Sequence, residues 1–202
     1  MTPSPLQPPL GQAAQAVRAR AAQVVDAAAQ AAYARDGAVC LRGLLSPDEV
    51  QVLREGIDAN LAQPSPRALV ASRSDDPGFF IEDFCTWQDN PAYRRLIEQS
   101  ALAAAAARLM QSQEVRLYHD HMLTKEAGTR QKTPWHQDQP YYNVDGAINA
   151  SMWMPSLPKS TDMFTRPRNI SILCEVHPAP TCRRKPIIMP SSIGFKSCSA
   201  LP

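Results

Sequence analysis

Residues 115–146 read VRLYHDHMLTKEAGTRQKTPWHQDQPYYNVDG and hold three of the four histidines of the chain. Asp120, Asp138, Trp135, Tyr141 and Tyr142 stand among them. The centre of this stretch is Trp135-His136-Gln137-Asp138. Along a β-strand alternate side chains point to the same face. On a strand, then, His136 and Asp138 project together and Gln137 faces away. An imidazole beside a carboxylate suits a borderline divalent ion such as Fe(II), and a second histidine would complete a facial triad with open positions for substrate and O₂. A bare His-x-Asp fits an ordinary surface or core polar pair equally well.

The rest of the chain sets bounds on the reading. A length of 202 residues predicts one domain with enough material for a core. The net charge of +2 predicts no special affinity for nucleic acid or an anionic membrane. No apolar run approaches a membrane span. Five cysteines, none in a CxxC pair, build neither a disulfide framework nor a zinc site, so free thiols in a reducing compartment are expected. A small-molecule substrate is the expected partner; the oligomeric state is left open.

Residues 1–12, with four prolines in MTPSPLQPPLGQ, are expected to be disordered. The alanine-rich segment after them carries Arg18 and Arg20 and no acid before Asp26. That pattern fits an ordinary first helix in a cytoplasmic protein; an organelle transit segment is the alternative.

Alanine predicts one helix from Gln12 to Arg35, ended by Asp36-Gly37. A short strand is expected over Ala38–Arg42. Ser46-Pro47-Asp48-Glu49 combines an N-cap serine, proline at the first helical position and a capping-box acid. The helix it opens carries Val50, Leu53, Ile57 and Leu61 on one face and stops before Pro64. Further strands are expected over Leu69–Arg73, Gln113–Lys125, Pro134–Asp138 and Asn149–Met154. Phe79–Trp87 brings aromatic residues toward a cavity mouth, and Asn90 starts a helix that runs to Met110. Helices followed by strands predict an α+β fold whose sheet could close as a jelly roll.

DGAVCLRGLLSPDEVQVLREGID, HDHMLTKEAGT, TPWHQDQPYYNVDG and NASMWMP, in that order, resemble the phytanoyl-CoA dioxygenase family. The resemblance spans Tyr33 to Pro155, within a domain read as 13–155. It implies N-terminal helices packed on a double-stranded β-helix of cupin type. It also implies Fe(II), 2-oxoglutarate and O₂, and hydroxylation of a small organic or acyl substrate. By the same resemblance His136 and Asp138 are iron ligands. Met122, Thr124, Trp153 and Tyr142 line the co-substrate pocket, with Asp120 on Met122's face. Met122 and Trp153 also fit an ordinary core. His119 and His121 alternate with Met122 and are expected on the outer face of their strand; a metal pair of their own is the other reading.

After SMWMP the family pattern calls for a second histidine in a Gly-Ser-His-like turn and an arginine about ten residues later. Neither is recognisable here. Residues 156–202 hold seven prolines and seven Lys/Arg against two Asp/Glu. The expectation is a non-homologous, disordered tail on a barrel that is incomplete at its C-terminus. His177 is the remaining candidate for a third ligand, followed by Arg183 and Arg184. Some relatives use a lysine upstream of the third helix; this chain has none before Lys125, and Arg73 would have to substitute. The expected function is therefore an Fe(II)- and 2-oxoglutarate-dependent dioxygenase. The alternative is an inactive relative or cupin-type binding module lacking the distal histidine and co-substrate arginine, and little turnover is expected from the chain as it stands.

Overall fold

A computed structural model describes residues 11–133, 135–136, 149–156, 168–175 and 189–190. Among these described residues, five helices come mostly before seven strands: α1 Gln12–Val24, α2 Ala27–Asp36, α3 Pro47–Ala62, β1 Leu69–Val70, β2 Phe80–Phe84, α4 Pro91–Gln99, α5 Leu102–Met110, β3 Arg116–Lys125, β4 Trp135–His136, β5 Asn149–Ser156, β6 Arg168–Glu175 and β7 Met189–Pro190. The strands form an antiparallel five-stranded sheet, ordered β1-β2-β3-β6-β5, and a separate β4–β7 pair. Helices on one antiparallel sheet make this a mixed α+β fold. Among the described residues no helix is long and apolar enough to cross a membrane.

The first expected helix is two. Asp26 interrupts it by accepting a hydrogen bond from Ala29 N at 2.8 Å and so capping α2. Val25, at the break, is buried, and its carbonyl accepts from Arg108 Nε at 2.9 Å. Gln30 Nε2 returns a bond to the Arg108 carbonyl, so the break is held against α5. The helix expected from Asn90 to Met110 is also two, because Ser100 is extended at φ −95°, ψ 179°. Its hydroxyl accepts from Leu102 N and serves the start of α5. Local polar side chains offer the backbone an alternative to helix, and alanine propensity does not override them.

No strand forms over Ala38–Arg42. Gly37 ends α2 in the left-handed region at φ 76°, and Val39 and Leu41 then pack against the core from irregular chain. Ser46 and Glu49 close the expected capping box at the start of α3. Arg20 Nη2 reaches Glu49 Oε1 at 2.5 Å and ties α1 to that same turn. Phe80–Asp83 are buried within the sheet.

The core lies between the helices and one face of the sheet. Leu53 and Ile57 of α3, Tyr93 and Leu96 of α4, and Leu102, Ala105, Ala106 and Leu109 of α5 supply one side. Ile81, Met122, Ala150, Met152 and Met154 supply the other. The small residues of α5 permit close approach, as the alanine run predicts. Gly56 does the same for α3 and α4, since a Cβ there would sit 2.6 Å from the Tyr93 ring.

The segment read as a disordered tail supplies β6 between β3 and β5. Asn169-Ile170-Ser171-Ile172 alternates polar and apolar positions at strand period and runs into apolar Leu173-Cys174, a local signal that the composition of 156–202 as a whole obscures. The expectations for 1–10, and for 156–202 beyond β6, β7 and Ser156, lie outside the described residues.

Gly56→Ala is expected to destabilise the protein by about 1–3 kcal/mol, the usual cost of overpacking a filled contact. Urea denaturation should show a lower midpoint with an unchanged slope, and an unchanged midpoint would show that the Tyr93 ring can move aside.

Candidate functional site

The sheet has two chemically different faces, and strand register assigns residues to them. Directly paired residues share a side, and alternate residues change side. Asp83 pairs with Met122 and Ile81 with Thr124, while Phe84 pairs with His121, Glu82 with Leu123 and Phe80 with Lys125. Through β6, Met152 stands level with Asp120 and Trp153 level with His121. The helix-covered face thus carries Ile81, Asp83, Asp120, Met122, Thr124, Ala150, Met152 and Met154. The opposite face carries Phe80, Glu82, Phe84, His119, His121, Leu123, Lys125, Ser151 and Trp153. Burial along β5 agrees, since Ala150, Met152 and Met154 are buried whereas Ser151 and Trp153 are not.

This partition separates residues that the resemblance grouped together. Met122 and Thr124 are 0% and 1% exposed on the helix-covered face, where Thr124 Oγ1 donates to Met122 Sδ at 3.3 Å. Asp120 is on their side, as alternation predicts. Trp153 is on the other side, 41% exposed. His119 and His121 share Trp153's face, so the face expected to be the outer one is the face free of helices. The signal was available in β5: where helices cover a sheet, they take its more apolar row, and Met152 and Met154 mark that row.

Asp120 is structural. Its Oδ2 accepts from Thr86 N at 3.2 Å and Thr86 Oγ1 at 2.9 Å, and its Oδ1 accepts from Trp87 N at 3.2 Å. Burial raises its pKa, and these hydrogen bonds oppose the rise. It anchors the turn that follows β2. That turn passes through Cys85 at φ 55°, a conformation costly for a residue with a Cβ. Arg67 braces it, with Nε on the Phe84 carbonyl and Nη2 on the Cys85 carbonyl, both at 2.8 Å.

The helix-free face is polar and aromatic. The His121 ring stacks on Phe84 with centroids 4.2 Å apart. His121 Nε2 lies 3.7 Å from Glu82 Oε2, beyond hydrogen-bond range. Lys125 Nζ sits 4.9 Å from the centroid of the Phe80 ring. Burial, and secondarily the charge of His121, push the His119 pKa down to about 4. Sequence reasoning passed over Glu82, which stands in an aromatic-rich run with nothing local to mark it.

His136 lies on β4, paired with Met189 of β7, so its backbone is a strand as expected. The side chain of His136, and Asp138, Tyr142 and His177, lie outside the described residues. Among the described residues no three His, Cys, Asp or Glu side chains converge to hold a metal ion.

The phytanoyl-CoA dioxygenase family model matches residues 33–159, well over half of the chain. The chain belongs to the phytanoyl-CoA dioxygenase family. Solved structures share its fold at low identity. One is SnoK, described as a non-heme alpha ketoglutarate dependent carbocyclase from nogalamycin biosynthesis, with TM-score 0.61 and 13% identity over 74% of this chain and 83% of that one. AviO1 from Streptomyces viridochromogenes Tue57 gives TM-score 0.61 and 17% identity over 79% of this chain and 99% of that one. EctD from S. alaskensis, solved with bound Fe, gives TM-score 0.60 and 15% identity over 74% and 76%.

His119 gives the fold a pH dependence whose sign follows from linkage. Its folded pKa of about 4 lies below the ordinary histidine value of 6.5, so between those values the unfolded chain binds more proton and stability falls as pH falls. Asp120, shifted the opposite way, contributes the opposite slope from its ordinary value upward. The difference between wild type and His119→Gln isolates the histidine. Thermal melts from pH 7.5 to pH 5 should show a larger drop for wild type than for His119→Gln, and parallel curves would refute the assignment.

Proposed function

We propose that this chain is an Fe(II)- and 2-oxoglutarate-dependent oxygenase acting on a small organic or acyl substrate. The observation that carries the reading is Trp135-His136-Gln137-Asp138 inside the family match, with Trp135–His136 on a strand. An imidazole and a carboxylate two residues apart on a strand are a donor set that fits Fe(II). His136 and Asp138 would hold the ion, and Trp153 and Tyr142 would flank the co-substrate. In this reading β4–β7 belongs to the second sheet of a double-stranded β-helix, and the helix-free face of the larger sheet lines the cavity. Fe(II) with 2-oxoglutarate and O₂ supplies the oxidant for hydroxylating an unactivated C–H bond, releasing succinate and CO₂.

Within that cavity the chain's own residues bind, orient and exclude water. The Phe84–His121 stack makes one wall rigid. The low pKa of His119 keeps its imidazole neutral at physiological pH, so it adds no cation to the cavity.

A second reading, a metal-binding relative without turnover, is favoured by residues 156–202, where no Gly-Ser-His turn with a following arginine occurs. That arginine would supply a charge-assisted contact worth about 1.5–3 kcal/mol. Its loss alone weakens 2-oxoglutarate binding roughly ten- to a hundred-fold.

Fe(II) binding and succinate release, measured on the same preparation, separate the two readings. We expect His136→Ala to lower Fe(II) affinity by at least about tenfold (about 1.4 kcal/mol) and Gln137→Ala to leave it nearly intact. Succinate release that requires both Fe(II) and His136 supports the oxygenase. Binding that depends on His136 without succinate supports the second reading, and Fe(II) affinity unchanged by His136→Ala removes both.

A further inference from the structure

On the helix-free face Glu82 is 1% exposed and His121 9%. Among the described residues, Glu82 Oε1 and His121 Nε2 are buried and have no hydrogen-bond partner. A buried carboxylate without a donor is costly, and native structures rarely keep one without a purpose. Among the described residues, the His121 Nε2 atom stops 3.7 Å short of Glu82 Oε2. Lys125, four residues beyond His121 on the same face, rests over the Phe80 ring, with Nζ 4.9 Å from its centroid. The two atoms thus lie beside an aromatic ring, with Phe84 stacked on His121 at 4.2 Å, and Trp153 stands level with His121 two strands away on the same face.

We propose that Glu82 and His121 form a substrate-recognition subsite for a protonated amine. A carboxylate selects a cation, and it repels the carboxylate or phosphate end of an anionic ligand. The ammonium group donates one hydrogen to Glu82 Oε1 and a second to a lone pair on His121 Nε2, so one ligand group satisfies both orphan atoms. The Phe84 ring beside His121 favours the same charge. His121 and Phe84 fix each other's orientation by stacking, so the acceptors are arranged before the ligand arrives. The inference deepens the oxygenase reading by naming a class of substrate, one that carries an amine, and it rests on that reading only for the word substrate.

The test uses the full-length chain without iron or 2-oxoglutarate, so its outcome does not depend on turnover. Three six-carbon probes differ only in the end group: hexylammonium, 1-hexanol and hexanoate. Affinity is measured by calorimetry, and the His121 imidazole is followed by ¹⁵N NMR. Hexylammonium is expected to bind at least about tenfold more tightly than either other probe and to shift the His121 Nε2 resonance. Glu82→Gln, which keeps the shape and removes the charge, is expected to erase that preference with melting temperature retained. Equal affinity for hexanol or hexanoate overturns the proposal, as does hexylammonium binding that leaves His121 unmoved or survives Glu82→Gln intact. If Glu82→Gln does not fold, the wild-type comparison of the three probes and the His121 signal decide the question alone.

Discussion

The buried carboxylate of Asp83 holds the helical and sheet layers in register. Its Oδ2 accepts from Asn60 Nδ2 and Ser65 N, both at 2.7 Å, and its Oδ1 accepts from Ser65 Oγ at 2.5 Å and from Phe84 N at 2.9 Å. Asn60 belongs to α3 and Ser65 to the segment leaving it, so one side chain on β2 gathers the end of a helix and the loop that follows. Hydrogen bonds to a charged group are worth about 1.5–3 kcal/mol each, and removing the acceptor would leave several donors buried and unpaired. Tyr93, fully buried beneath the same network, donates to Asn60 Oδ1, and its phenol is held protonated by burial and by the charges of Asp120 and Asp83.

With Asp83 and Asp120 engaged on the helix side, the sheet is committed as to which row faces which way. A one-residue slip of β2 against β3 would bring Glu82 toward the helices and turn Asp83 away from Asn60. The polar network therefore sets the register that apolar matching alone would leave degenerate, because β2 is buried on both faces. The helix-free face inherits its composition from that choice. Glu82, His119, His121 and Trp153 stand together because Asp83, Asp120, Met122 and Met152 stand together on the reverse.

Much of this was legible in the residues. Ser46–Glu49 specified a helix start through its own hydrogen bonds, and the motif around His136 carried the family through residue identity and order. Local chemistry of that kind needs no partner. The break at Asp26 and the absence of a strand at Val39 were less legible, because they depend on Arg108 and on core surface contributed by distant helices. The helix-covered side on which Met122 and Thr124 lie was hard to read for a related reason. Strand alternation says which residues share a face and nothing about what covers it. Only the comparison of β3 with β5, where methionines alternate with Ser151 and Trp153, distinguishes the covered row from the open one. β6 was missed because averaging over a proline-rich, basic segment hides a short apolar run that begins with strand-period alternation.

The strand order carries a consequence in time. β3 ends at Lys125, but its neighbour β6 begins only at Arg168, and β5 can join the sheet only through β6. Chains emerge from the ribosome at about 5–20 residues per second, so one edge of β3 waits for several seconds before its partner exists. Through that interval α1, α3, α4 and α5 can already bury Ile81 and Met122, so a helical half with two or three strands precedes the finished sheet. The waiting edge presents unpaired backbone groups, the usual route to misassociation. Its flanking side chains on the helix-free face include His119, His121 and Lys125, and the polarity that suits a cavity also discourages a stranger from pairing there first.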